Sequence, residues 1–206
     1  MGNRRRRAKR CLAVALCAAF VLLISVAFPQ ADTVHQLLYA AGSVPLYAAA
    51  DHSAAATITP GTALQADRPA ASGMQAVTIE AWTQDGADST LFAAAGRRIV
   101  LAKLKDGTTR PPVLATMTDP YGNVWHQVRL IGFAPTADLV ADQESVWGKA
   151  RALYSKRCSA CHALHHTNEF TANQWPTILK TMTKNAALQP DQAALITQYL
   201  QTHAKQ

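Results

Sequence analysis

Residues 144–162 read ESVWGKARALYSKRCSACH, and the rest of the chain is interpreted outward from this stretch. The run from Glu144 to Arg157 is compatible with a helix, with Trp147, Ala150, Leu153 and Tyr154 on approximately one face, and it leads straight into Cys158-Ser159-Ala160-Cys161-His162. In a C-x-x-C-H motif the two thiols add across the vinyl groups of a haem as thioethers, and the histidine that follows is placed to ligate the iron. All three groups must meet one haem edge, which explains the tight spacing. A thioredoxin-type redox pair would sit near a βαβ pattern, and a zinc site would need a second pair of ligands at suitable spacing. The sequence has neither. It predicts one covalent haem c, with Cys158 and Cys161 as thioethers and His162 as proximal iron ligand. The other two cysteines, Cys11 and Cys17, lie in an apolar run where a thiol is a small apolar filler.

Beyond the motif, Asn173 to Lys184 is compatible with a second helix, and Pro190 suits the start of a third with Ala193, Leu195, Ile196, Tyr199 and Leu200 as its apolar face. Met182 is the only methionine after the motif, 20 residues beyond His162, and is the expected distal iron ligand. A thioether opposite a histidine raises the reduction potential, as suits an electron carrier. The competing role for Met182 is core packing. His203 is the second candidate ligand, and with neither bound the iron would have an open site. His165 and His166 follow the motif too closely to reach the opposite haem face, and an exposed loop is expected there.

Upstream, short β-like segments alternate with turn residues. Candidate strands are Val44–Ala48, Ala56–Ile58, Val77–Trp82, Arg98–Leu104, Val113–Met117 and Val124–Leu130, with turns at Pro60-Gly61, Asp85-Gly86, Asp106-Gly107 and Tyr121-Gly122-Asn123. Pro45 confines the first strand to a sheet edge. This spacing predicts a small barrel or sandwich, with Trp125 and Phe133 in its core.

At the amino terminus, the 18 uncharged apolar residues from Cys11 to Phe28 are long enough to cross a bilayer as a helix. Arg4, Arg5, Arg6, Arg7, Lys9 and Arg10 precede them and would stay cytoplasmic. The alternative is a signal peptide cleaved after Ser25-Val26-Ala27, leaving a soluble periplasmic protein. The same six basic residues supply +6 of the formal charge of +7, so the basic balance points to the membrane and not to nucleic acid. Of the remainder, residues 32–145 carry 7 basic and 11 acidic side chains and residues 146–206 carry 7 and 2. The basic segment suits an acidic partner surface, with Lys149, Lys156, Arg157, Lys180 and Lys184 as candidates, although such charges also serve simply as solvated surface.

Two resemblances extend this reading. Ser43-Val44-Pro45-Leu46-Tyr47 with Ile58-Thr59-Pro60-Gly61-Thr62-Ala63-Leu64, and Gly122-Asn123-Val124-Trp125-His126-Gln127-Val128 with Ile131-Gly132-Phe133-Ala134-Pro135, resemble the opening and closing pieces of bacterial SH3-like domains; Met74 to Asp106 is left unexplained by that pattern. The helices around the motif resemble class I cytochromes c, which implies a helix crossing at a small residue and an aromatic, here Gly148 and Tyr199. Cys161-His162-Ala163-Leu164, Phe170-Thr171-Ala172-Asn173-Gln174-Trp175 and Tyr199-Leu200-Gln201-Thr202-His203-Ala204-Lys205 resemble the C-terminal mono-haem domain of trimethylamine N-oxide reductase-type cytochrome c subunits. That resemblance implies electron delivery from a quinol-oxidising tetrahaem module to a periplasmic molybdenum reductase. The sequence has a single motif and no tetrahaem module before it, so the electron source is expected to be another membrane protein.

The expected organisation is a basic tail and transmembrane anchor (1–30), a spacer (31–42), a small all-β SH3-like barrel (43–142) and a C-terminal all-α mono-haem cytochrome c domain (143–206). The expected protein sits in the inner membrane with its body in the periplasm and transfers electrons without catalysing a reaction. Its expected contacts are membrane lipid and redox partner proteins in membrane and periplasm. A haem-based redox or gas sensor, and an envelope assembly or binding protein built on the β region, are the alternatives.

Overall fold

The computed structural model describes residues 36–49, 53–69, 73–108 and 110–205. Ten strands precede the helices: β1 (Gln36–Ala40), β2 (Val44–Tyr47), β3 (Ala54–Ile58), β4 (Ala63–Pro69), β5 (Met74–Gln84), β6 (Thr90–Ala94), β7 (Arg97–Leu104), β8 (Val113–Thr118), β9 (Val124–Pro135) and β10 (Leu139–Val140). All pairings between them are antiparallel, in the order β10-β1-β4-β5-β6-β7-β3-β2-β9-β8. The further pairing of β5 with β9, from Met74 opposite Pro135 to Gln84 opposite Trp125, closes β5, β6, β7, β3, β2 and β9 into a ring. Alternation along the strands fills it: Val77, Ile79 and Ala81 of β5 face Val128, Leu130 and Ala134 of β9, with Leu46, Ile58, Leu91 and Ala102 from the others. Gly132 is required where β2 crosses β9, because a Cβ there would lie 2.6 Å from the Tyr47 carbonyl oxygen.

Three helices follow: α1 (Gln143–Cys158), α2 (Trp175–Asn185) and α3 (Pro190–Thr202). Asp142 caps α1 by accepting from Glu144 N–H, and Lys156 and Arg157 end it on the favourable side of its dipole. A second core gathers Val146, Trp147, Ala150 and Tyr154 of α1, Trp175 and Leu179 of α2, and Ile196, Tyr199 and Leu200 of α3. It also takes in Ile99 of β7.

The expected fold class is corrected here. The β region is a ten-stranded antiparallel sheet, larger than the small SH3-like barrel expected, because four segments without a recognisable strand pattern, β1, β4, β6 and β10, join it. β1 lies inside 31–42, the stretch expected to be a spacer. Nor do the helices form a separate all-α cytochrome domain: Thr33–Gln206 is one compact unit. The physical reason is a polar seam along β7. Gln198 of α3 donates to the Val100 carbonyl and Thr59 hydroxyl, and Gln201 donates to the carbonyls of Arg98 at 3.2 Å and Ala172 at 2.7 Å. Both glutamines are buried, and carbonyls of β7 accept from their Nε2 groups, while Oε1 of Gln198 has no hydrogen-bond partner among the described residues. Among the described residues no helix is long and apolar enough to cross a membrane; the expected Cys11–Phe28 anchor lies outside them.

Trp125 is fully buried against Phe92, as the core role requires, and donates through Nε1 to Asp119 at 2.9 Å. Phe133 is only half-buried. Burial alone would raise the Asp119 carboxyl, but hydrogen bonds from the Asn123 and Trp125 side chains and the Asn123 and Tyr121 N–H groups outweigh it and hold the value down at about 2. A depressed folded value means stability that is complete above the ordinary carboxylate pKa of about 3.9 and lost as pH falls through about 2. The denaturation midpoint is therefore expected to fall over that window in the native chain and to vary less in Asp119→Asn. Parallel pH profiles for the two would sink this assignment.

Candidate functional site

The last turn of α1 presents the motif. Cys158 is its final residue and is buried, whereas Cys161 and His162 follow in an exposed turn. Both thiols are free. Burial, and then the neighbouring Cys161 sulfur, pushes the Cys158 thiol up, so it is protonated at neutral pH. His162 Nδ1 donates to the Ala163 carbonyl at 2.6 Å, which fixes the ring and leaves Nε2 as the lone-pair donor. Tyr154, one turn before Cys158, bonds to the His165 carbonyl at 2.9 Å and ties the returning loop to α1. Burial, with Cys158 next, pushes its phenol up to about 12.

The far wall comes from α2. Arg157, Cys158, Cys161 and His162 face Met182, Asn185 and Ala186 across a cleft of about 100 Å³. The second core leaves a half-buried apolar fringe of Leu153, Leu164, Ile178, Met182, Leu188 and Leu195. His203 lies elsewhere. Its ring packs on Trp147 at 5.6 Å and Tyr199 at 4.6 Å, and Nδ1 bonds the Tyr199 carbonyl at 2.7 Å. Trp147 is eleven residues before Cys158, or about 16 Å along α1.

His165 is not the plain exposed residue expected. It is half-buried, 5.4 Å from the His162 ring and 5.3 Å from Phe170, with Nδ1 bonded to Glu169 at 2.9 Å. His166 is exposed. Gly148 does not make a tight helix crossing: a Cβ there would meet nothing within 4 Å. α1 packs on α3 through Trp147, whose ring is 6.2 Å from Tyr199, and the same ring also lies over Gly61 of the β region.

Among the described residues, no three His, Cys, Asp or Glu side chains gather to hold a metal ion by themselves. The cleft is lined by one histidine and one methionine beside two cysteines. That donor set fits a haem, whose porphyrin brings four iron donors of its own and whose vinyl groups take the thiols.

The profile of a family described as TorC third cytochrome c domain matches residues 32–139, just over half of the chain. The chain belongs to the TorC-type cytochrome c family. A second profile, described as dihaem cytochrome c, matches residues 154–206. Cytochrome c-type protein TorY of Escherichia coli O157:H7 is 33% identical over 153 residues, 73% of this chain and 41% of the relative. TorY of Haemophilus influenzae is 27% identical over 130 residues, 62% of this chain and 35% of the relative. Cytochrome c-type protein TorC of Escherichia coli O157:H7 is 26% identical over 171 residues, 81% and 44%. The chain thus spans less than half the length of these TorC-type relatives. No solved structure matches it. Membership in a c-type cytochrome family implies covalent haem c and electron transfer as the general role.

Proposed function

We propose that this chain is an electron carrier with one haem c, held by thioethers from Cys158 and Cys161 and ligated by His162 and Met182. The observation that supports this is that Met182 lines the same cleft as the cysteines and histidine of the C-x-x-C-H motif. The haem supplies one-electron cycling of its iron. The chain's own residues hold and orient it: the Ala163 carbonyl fixes His162, and α2 carries Met182. Met182 is favoured over His203 because His203 sits against Trp147, some three turns of α1 away. Were His162 and Met182 both to hold the iron, no site would be left for an outside ligand, which favours a carrier over an enzyme or gas sensor.

The descriptions of related families name a third cytochrome domain and a dihaem protein, whereas the single motif here supports one haem. Haem-stained denaturing electrophoresis with intact mass is expected to give one added haem per chain. An exported, matured chain with none or with more than one overturns the reading.

The body lies in the periplasm, attached to the inner membrane through Cys11–Phe28. Electrons come from a quinol-oxidising membrane protein and pass to a periplasmic molybdenum S/N-oxide reductase, as the resemblance to trimethylamine N-oxide reductase-type cytochromes implies. Lys156, Arg157, Lys180 and Lys184 are exposed on the elements that form the cleft, which suits docking on an acidic partner.

A further inference from the structure

We propose that Asn173 is a positioning residue through which the β6–β7 hairpin holds the Met182-bearing helix toward the haem iron. The inference rests on the reading of His162 and Met182 as axial ligands, and it gives the β region a part in the electron-transfer site.

Asn173 lies two residues before α2 and pairs with the hairpin as a strand residue would: Oδ1 accepts from Arg98 N–H at 2.8 Å and Nδ2 donates to the Gly96 carbonyl at 2.8 Å. The same root of α2 is held from other sides. Gln201 donates to the Ala172 carbonyl, Trp175 donates through Nε1 to the Thr167 carbonyl at 3.0 Å, and Thr171 forms a bridge with Lys205. At the other end of α2 the picture changes. Met182, Asn185 and Ala186 line the cleft, and after Leu179 no residue of the helix is fully buried.

A helix fixed at its root and open at its tip acts as a lever. Met182 is nine residues beyond Asn173, about 13 Å along the axis, so a tilt of about 5° at the root moves the sulfur by roughly 1 Å. Ligand geometry must be held to about half that. Of the groups at the root, Trp175 and Gln201 are buried and belong to the core, whereas Asn173 is exposed and its side chain is spent on the two hairpin bonds.

The test uses the full-length haem-loaded protein, reading the weak red-edge absorption of an iron–methionine bond in the ferric state and the affinity of ferric iron for imidazole. Asn173→Ala is expected to weaken the band and raise imidazole affinity by about tenfold, since two hydrogen bonds of modest net strength no longer hold the root of α2. Asn173→Asp keeps the bond from Arg98 N–H and loses the one to the Gly96 carbonyl, so its effect should fall between. Thr181→Ala, whose hydroxyl bonds only the Ile178 carbonyl of its own helix, should change neither readout. Met182→Ala is measured alongside. If it leaves band and affinity unchanged, the ligand reading fails and the inference with it. If Met182→Ala abolishes the band while Asn173→Ala lowers only the melting temperature, the ligand reading stands and the positioning role is overturned.

Discussion

Replacing Cys158 and Cys161 together by alanine removes all haem that survives denaturing electrophoresis. No other cysteine lies near the motif, since Cys11 and Cys17 are the only two besides, more than a hundred residues earlier. Each single substitution should leave one thioether and a stainable band. The two are not equivalent in the folded chain: Cys158 is 8% exposed within the helical core and Cys161 is on the surface. Cys158→Ala should therefore also cost about 1 kcal/mol of folding stability through the lost buried sulfur, and Cys161→Ala close to nothing. Haem staining that persists in the double variant would show that the haem is held by some other covalent bond, and the motif would lose its assigned role.

Gly61→Ala should be among the most destabilising single changes outside the haem site. Two effects add at this position. Gly61 sits in the left-handed region at φ +74°, and its added Cβ would lie 2.1 Å from Cη2 of Trp147, a distance that no rotamer adjustment of alanine relieves. Trp147 must leave the turn, and with it goes packing against Tyr199 and the nearby bond from Gln143 to the Gly61 carbonyl. A loss of about 3 kcal/mol or more is expected by chemical denaturation. Gly122→Ala is the comparison: its φ is +83° but a Cβ there meets nothing within 4 Å, so only the backbone cost of about 1 kcal/mol applies. Equal losses at the two glycines would mean that Trp147 is not held by close approach to the turn.

The parts of this protein that the sequence made legible are those written in contiguous residues. The thiols and imidazole fall within five positions, and strands β5, β7 and β9 are long enough for alternation to register, although β5 extends from Met74 to Gln84 and not only over Val77–Trp82. The helix expected at Asn173–Lys184 begins at Trp175 because Asn173 is engaged with the hairpin and Gln174 folds back to accept from Thr171 N–H. What escaped has no local signature. β10 is two residues, and β1 precedes the first recognised strand with only Leu38 and Ala40 buried. The seam along β7 is made by glutamines on a helix meeting backbone groups about a hundred residues earlier, and neither periodicity nor composition marks such a pairing. Met182 is legible as a candidate by elimination among methionines, but its place in one cleft with Cys158, Cys161 and His162 depends on the path of residues 163–174 between α1 and α2, which sequence spacing does not fix.

The seam also governs how this architecture can be inherited. A recombination event joining the strands of one relative to the helices of another at residues 142 and 143 would deliver two buried glutamines to a foreign strand, where their acceptors depend on the path of the Arg98 and Val100 carbonyls. Such a hybrid leaves amides stranded in a dry interface, and each stranded group costs about 1–3 kcal/mol. Exchanging α3 without β7 and the Thr59 turn is therefore expected to cost folding stability.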